Sequence, residues 1–409
     1  MTTTTPTRTP GLTGAAAVRS GLSQPVAFAA IAAIFVTFTA ASSAPSPLYV
    51  VYQQLWGFSA VTLTVIFAVY VVGLIGALLV LGALSDHVGR RPVLAAAVGL
   101  EMVALILFLT AGDVTVLLMA RFLQGIATGA ALTTLGAALV DLNPPHAPGR
   151  AGLVNSVVPP AGLAIGSLGA GALVQFAPGP THFVYALLLA GMALAALVVL
   201  LMPETSGGRP GGAASLIPRL GVPSRLRGAV LAIVPIIVAS WALGGLYLSL
   251  GPSVAVGVFG LSNHLIGGLV VTLLCGTGAV AAFALRAWPT PRVLMIAGAL
   301  LTAGTAVTLA GVQTPSVVLA AVGTVLAGIG FGASALASFG TLALLAAPQE
   351  RGELFAVALT IAYVAFSLPA VVAGLAATSV GLRPTTLVYG LVVVVLGALA
   401  LVAQRLRRT

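Results

Sequence analysis

Gly82-Ala83-Leu84-Ser85-Asp86-His87-Val88-Gly89-Arg90-Arg91-Pro92 is a short polar turn between two long apolar runs. It gathers two arginines, an aspartate and two glycines, in a chain of which only 6% is charged. Such a knot between two segments of hydrocarbon length has to lie at a membrane surface, because a charge at the bilayer centre costs about 2.5–3.5 kcal/mol. The side on which it lies orients everything else.

The surrounding chain supports that reading. It has 409 residues, 59% of them hydrophobic, whereas a soluble domain carries about 25% charged residues. So little charge cannot solvate a globular surface, and the expected solvent is lipid. The 49 glycines suit closely packed membrane helices. The net charge of +10 is all arginine, with no lysine. These arginines sit singly or in small groups between apolar runs, which argues for topology and against nucleic-acid binding. Without lysine there is neither a P-loop nor a pyridoxal Schiff base, so no cofactor is expected. Cys275 is the lone cysteine and cannot form a disulfide within the chain. His87, His146, His182 and His264 have no metal-ligand spacing, so no metal site is expected.

Twelve apolar runs are long enough to span a bilayer, at roughly 25–46, 59–83, 92–111, 114–140, 151–176, 181–202, 228–251, 263–285, 293–312, 315–346, 353–378 and 384–404. Barrel strands are shorter and alternate in polarity, so the fold class is all-α integral membrane. Residues 1–24 read as a disordered tail, and 25–46 as an uncleaved first span, since Pro45 follows Ser42-Ser43-Ala44 and the run exceeds what a signal peptide needs. If the amino terminus is inside, the inner segments hold every arginine except Arg383 outside and Arg121 within a span. That asymmetry predicts cytoplasmic termini in a plasma-membrane protein.

The longest polar stretch, 203–227, divides the spans six and six. It reads as a cytoplasmic linker, with a short surface helix near Leu216–Leu220, between bundles 25–202 and 228–404; residues 405–409 form a second tail. The bundles echo each other. Gly125-Ile126-Ala127-Thr128-Gly129-Ala130 matches Gly328-Ile329-Gly330-Phe331-Gly332-Ala333; Arg91-Pro92-Val93-Leu94 matches Pro291-Arg292-Val293-Leu294; Arg150 and Arg351 precede spans 5 and 11. A six-plus-six parallel repeat is the plan of transporters whose halves rock about a central site.

The opening stretch resembles the loop 2–3 signature of the major facilitator superfamily, matching it at Gly82, Leu84, Asp86, Gly89, Arg90 and Arg91; His87 stands where arginine is frequent. Arg121-Phe122-Leu123-Gln124-Gly125 resembles the Arg-x-x-Gln-Gly signature of proton-coupled members. Gly162-Leu163-Ala164-Ile165-Gly166-Ser167-Leu168-Gly169-Ala170-Gly171 resembles the antiporter signature Gly-x-x-x-Gly-Pro-x-x-Gly-Gly, with Ser167 for Pro and Ala170 for Gly. The resemblance implies the major facilitator fold of twelve transmembrane helices in two pseudo-symmetric halves, most similar to drug:proton antiporters. It implies a gating latch in the turn. Gly82 and Gly89 permit a tight turn, Asp86 can cap a neighbouring helix start, and Arg90 can bridge Asp86 to Asp141, with Arg91 beside it. The second half has Arg286 and Arg292 but no acid like Asp86, so its latch, which Arg351 can join, is incomplete.

Arg121 lies well inside span 4 and needs a buried partner; the resemblance assigns it to proton coupling. Glu101 is the one carboxylate well inside a span, about 14 Å deep at 1.5 Å per residue from Pro92. It is either a proton carrier or a protonated packing residue, at a depth where pairing with Arg121 is possible. The resemblance implies a cavity lined by spans 1, 4, 7 and 10 with help from 2, 5, 8 and 11, where the candidate residues are Gln124, Asn155, Trp241, Tyr247, Phe331 and Tyr363, which suit small amphipathic molecules. For Trp241 and Tyr363 simple packing competes equally, and for Tyr49, Tyr52 and Trp56 interface anchoring is the better reading. The expected function is proton-coupled efflux by alternating access, by a monomer in the lipid bilayer with a small-molecule substrate and protons as its partners. A sugar or metabolite porter and a non-transporting receptor are the alternatives. An enzyme is not expected, because no catalytic cluster lies at span depth.

Overall fold

A computed structural model describes residues 22–147, 149–208, 210, 212–217, 221–345 and 350–406. The expected amino-terminal tail, part of the linker, the end of its surface helix and the side chain of Arg351 fall largely or wholly outside the described residues. The regular structure is all helical among the described residues, and twelve helices are long and apolar enough to cross a membrane. They are α1 Gln24–Trp56, α2 Ala60–Leu81, α3 Arg90–Leu109, α4 Val114–Asp141, α5 Arg150–Phe176, α6 Pro180–Leu201, α7 Ser224–Ser249, α8 His264–Ala284, α9 Thr290–Gln313, α10 Val317–Leu342, α11 Glu353–Val380 and α12 Leu382–Arg405.

The first helix runs further than its apolar run predicts. Its helical turns break at Ala44 and resume at once as Pro45–Trp56. Proline is tolerated in the first turn of a helix, where its missing N–H would have no partner anyway. Pro45 and Pro47 therefore start a second segment instead of ending the span. Helix α7 ends in the same way, with a short helix Gly251–Gly257 carrying Pro252 in its first turn.

The two halves repeat one packing device. In the first half a Cβ on Gly125 or Gly129 would strike the carbonyls of Tyr70 and Leu74, so α4 lies against the backbone of α2. In the second half Gly328 and Gly332 bring α10 against Leu274 and Gly278 of α8 in the same way. The sequence echo thus marks one helix contact made twice.

The halves meet along two seams. Ser167 and Gly171 of α5 lie against Gly268 of α8, while Gly162 and Gly166 of the same stretch lie against Thr39 and Ala40 of α1. The run that resembles the antiporter signature is therefore the strip of small residues that lets α5 nest between α1 and α8. On the other seam Gly374 of α11 meets Thr64 of α2, and Phe67 packs on Phe366 with centroids 5.0 Å apart. Among the described residues, the hydrogen bonds crossing between halves are Thr272 Oγ1 to the Ala164 carbonyl (3.0 Å), the His264 N–H to Gln175 Oε1 (3.1 Å), and Ser46 Oγ to the Leu248 carbonyl. All lie at mid-depth or toward the face opposite the chain ends. The halves are joined at that far face.

Gly125→Ala should lower the thermal midpoint of the purified protein, since overpacking costs about 1–3 kcal/mol. Gly169→Ala, whose Cβ meets open space, should leave it unchanged; a thermal-shift assay reads both.

Candidate functional site

The polar centre of the first half lies in α1, α3 and α4. Arg121, Gln124 and Glu101 are all buried, the latter two completely. Arg121 NH1 donates to Gln124 Oε1 (2.6 Å) and to the Ser42 carbonyl (3.1 Å). Gln124 Nε2 donates to Glu101 Oε1 (2.9 Å) and to the Ala41 carbonyl (3.1 Å). The proline break explains one of these acceptors. In an unbroken helix residue 45 would donate its N–H to the carbonyl of residue 41; Pro45 has none, and Gln124 takes that carbonyl. Arg121 also packs on two aromatic rings, 4.9 Å from the centroid of Tyr70 and 5.4 Å from that of Tyr49.

Glu101 and Arg121 are therefore linked through Gln124 and not by a direct ion pair. Glu101 Oε2 and Arg121 Nε are buried and make no hydrogen bond. Oε2 is the atom at which Glu101 can gain or lose a proton while keeping its bond from Gln124. The network is confined to one half. The match of Val93-Leu94 with Val293-Leu294 puts Leu301 opposite Glu101; the match of Gly125 and Gly129 with Gly328 and Gly332 puts Thr324 opposite Arg121 and Ala327 opposite Gln124.

The second polar centre is the α2–α3 turn at the face carrying the chain ends. Arg90, largely buried, pairs with Asp86 (2.5 Å) and through Nε with Asp141 at the end of α4 (3.1 Å), while NH1 also donates to Ser85 Oγ (2.6 Å). Gly89 has φ 110°, a backbone conformation open to glycine. Sequence reading assigned the helix-capping role to Asp86. Instead Glu204, just past α6, accepts the N–H groups of Arg90 (2.7 Å) and Arg91 (3.0 Å) at the start of α3. A carboxylate there meets the positive end of the helix dipole. Thr205 adds a hydrogen bond to Asp141 (3.1 Å), so the linker is tied into the same cluster. Arg91 itself reaches the Leu200 carbonyl. In the second half Arg286 folds back on its own helix end, onto the Phe283 carbonyl and ring, and Arg225 pairs with Glu350.

Trp241, Tyr363, Phe366 and Phe67 form an aromatic cluster at mid-depth between the halves, with Trp241 and Tyr363 centroids 4.7 Å apart. Phe331 closes on Gly244 beside Phe366. Asn155 donates to the Gly136 carbonyl (3.3 Å), tying α5 to α4. Two expected cavity residues lie elsewhere. Gln124 belongs to the buried network, and the Tyr247 hydroxyl pairs with Thr324 (2.7 Å) inside the second half. Tyr49 and Tyr52, expected as interface anchors, are fully buried. The helix runs on past Pro45 and carries them into the bundle. Glu204 carries no local sequence signal for this role, because its carboxylate acts across 114 residues of sequence.

The sequence matches the Major Facilitator Superfamily over residues 26–290. Among solved structures, a bacterial homolog of the human lysosomal transporter Spinster, inward-facing and unoccupied, superposes with a TM-score of 0.70 at 15% identity, covering 93% of this chain and 97% of that one. The human organic anion transporter MFSD10 (TETRAN) gives 0.68 at 17% identity, covering 93% and 100%. The nucleoside transporter NupG gives 0.69 at 13% identity, with the same coverage. At these identities the likeness is one of fold.

Gln124→Leu should be among the more damaging single changes in α4. It strips an acceptor from Arg121 and a donor from Glu101 in a dry interior, a loss of about 1–3 kcal/mol or more. A lowered thermal midpoint, partly restored by Gln124→Glu with its retained acceptor, is the expected result.

Proposed function

The chain belongs to the Major Facilitator Superfamily, and from that premise we propose that it is a proton-coupled secondary transporter exporting small amphipathic molecules across the plasma membrane, as a monomer with both termini in the cytoplasm. The observation that carries the reading is the buried Glu101–Gln124–Arg121 network bonded to the break in α1. A carboxyl group at that depth is costly as an unpaired charge, and Gln124 links its state to the helix that bridges the halves. Protonation at Glu101 weakens its pull on the Gln124 amide. That loosens the grip of α4 on the Ala41 and Ser42 carbonyls. A few residues on, Ser46 of the same helix holds Leu248 of α7. A proton taken up in α3 therefore biases a contact between the halves, which is what alternating access requires.

The charge cluster of Asp86, Arg90 and Asp141 serves as the gating latch in this reading. It binds the near-face ends of α2, α3 and α4 into one body that rocks about the far-face seams. The aromatic cluster of Trp241, Tyr363 and Phe366, with few polar groups nearby, suits amphipathic cargo better than a sugar, which needs many hydrogen-bond partners.

Purified protein in proteoliposomes with an imposed pH gradient tests the proposal. The panel holds fluorescent amphipathic cations, uncharged dyes, sugars and nucleosides. Gradient-driven flux of an amphipathic compound is expected, and none for any compound would overturn the reading. Glu101→Gln should abolish gradient-driven flux while sparing substrate exchange without a gradient. Asp86→Asn should slow flux roughly tenfold, the effect of about 1.4 kcal/mol on the barrier, with substrate affinity retained.

A further inference from the structure

The second half contains a partly open cavity of about 170 Å³, lined by α7, α8, α9, α10, α12 and the short helix Gly251–Gly257, in the part of the bundle farther from the chain ends. It shares no residue with the aromatic cluster between the halves. No charged side chain lines it; its polar groups are hydroxyls, among them those of Tyr247, Thr305, Thr308 and Thr324. Most of these are already engaged. Tyr247 pairs with Thr324, and Thr308 donates to the Gly304 carbonyl (3.1 Å). Thr305 is different. It is 2% exposed, and its Oγ1 makes no hydrogen bond.

The internal repeat explains why the space exists. With Val93 matched to Val293, Phe108 corresponds to Thr308 and Leu105 to Thr305. In the first half Phe108 stacks on Tyr185 with centroids 4.6 Å apart, and Tyr49 and Arg121 fill the depth beneath. The second half replaces Phe108 with a threonine and Arg121 with Thr324, so the ring and the guanidinium of the first half have no counterpart at these positions.

We propose that this cavity is a binding site for an uncharged, mostly apolar molecule about the size of one aromatic ring, with a single hydrogen-bonding group directed at Thr305. An apolar cavity of about 150 Å³ is known to stay dry and to take up benzene, so the volume fits. The absence of charge selects against ionised ligands, because an unpaired ion there would be desolvated without compensation. The buried Thr305 hydroxyl selects for an alcohol or amide over a pure hydrocarbon, since it gains a partner only from the former. The site stands independently of the transport reading, as none of its residues belongs to the proton network or the latch.

The test uses the full-length protein in lipid nanodiscs, with 4-fluorobenzyl alcohol and 4-fluorotoluene as probes followed by ¹⁹F NMR against empty nanodiscs. The alcohol should show a saturable one-site component, several-fold tighter than fluorotoluene. Thr305→Val should remove the difference between the probes. Thr308→Phe, which restores the filling of the first half, should abolish the saturable component for both. If that variant does not fold, Ala321→Leu on the opposite wall makes the same test. No saturable component above empty nanodiscs overturns the proposal, as does one that survives in a cavity-filled variant of wild-type thermal stability.

Discussion

A guanidinium buried among membrane helices must find its acceptors in the protein, because no water is there to supply them. Arg121 sets that demand, and α1 meets it by being broken. Proline at position 45 withholds the N–H that the Ala41 carbonyl would otherwise accept, and Gln124 takes that carbonyl while Arg121 takes the next one, of Ser42. The cost of the break and the cost of the charge thus offset each other. Neither the continuation of α1 to Trp56 nor the burial of Tyr49 makes sense separately. The helix has to run on past its proline for Tyr49 to reach the face of the guanidinium. Leu248, four residues before Pro252 in the second half, shows the same chemistry put to a different use. Its freed carbonyl accepts from Ser46, so one proline break serves the buried network through Gln124 and the other serves the junction between halves.

The surface cluster obeys the opposite rule. Asp86 and Asp141 are partly solvated, and exposed ion pairs are individually weak. What makes the turn rigid is the number of elements that converge there. Arg90 is held by Asp86 and Ser85 of the turn and by Asp141 of α4, and its backbone N–H is capped by Glu204 from beyond α6. Removing one charge leaves the others in place, so such a cluster is suited to being opened and remade.

The fold was legible because membrane helices announce themselves by length and continuous hydropathy, and because arginine distribution and the repeat reinforced the same count. The bridging of Asp86 and Asp141 by Arg90 was legible too, since both acids stand at helix ends on one face. What was not legible depended on directions that sequence spacing does not encode. Gln124 sits three residues from Arg121, and nothing in that spacing says that its amide turns toward Glu101. Glu204 acts on a helix start far away in the chain. Tyr49 and Tyr52 had the composition of interface anchors; only the geometry after Pro45 places them inside.

The repeat makes the two halves alike in backbone and unlike in chemistry, and the difference lies in a few substitutions. The glycine contacts of α4 with α2 and of α10 with α8 are the same device, so the scaffold is shared. On that scaffold Glu101, Gln124 and Arg121 become Leu301, Ala327 and Thr324. In the first half the broken helix turns toward α4, and its carbonyls at Ala41 and Ser42 accept from Gln124 and Arg121. In the second half the corresponding carbonyl of Leu248 is already bound by Ser46. Position 324 carries no charge, and its hydroxyl pairs with that of Tyr247. The chemical inequality of the halves therefore follows from how each proline break is used.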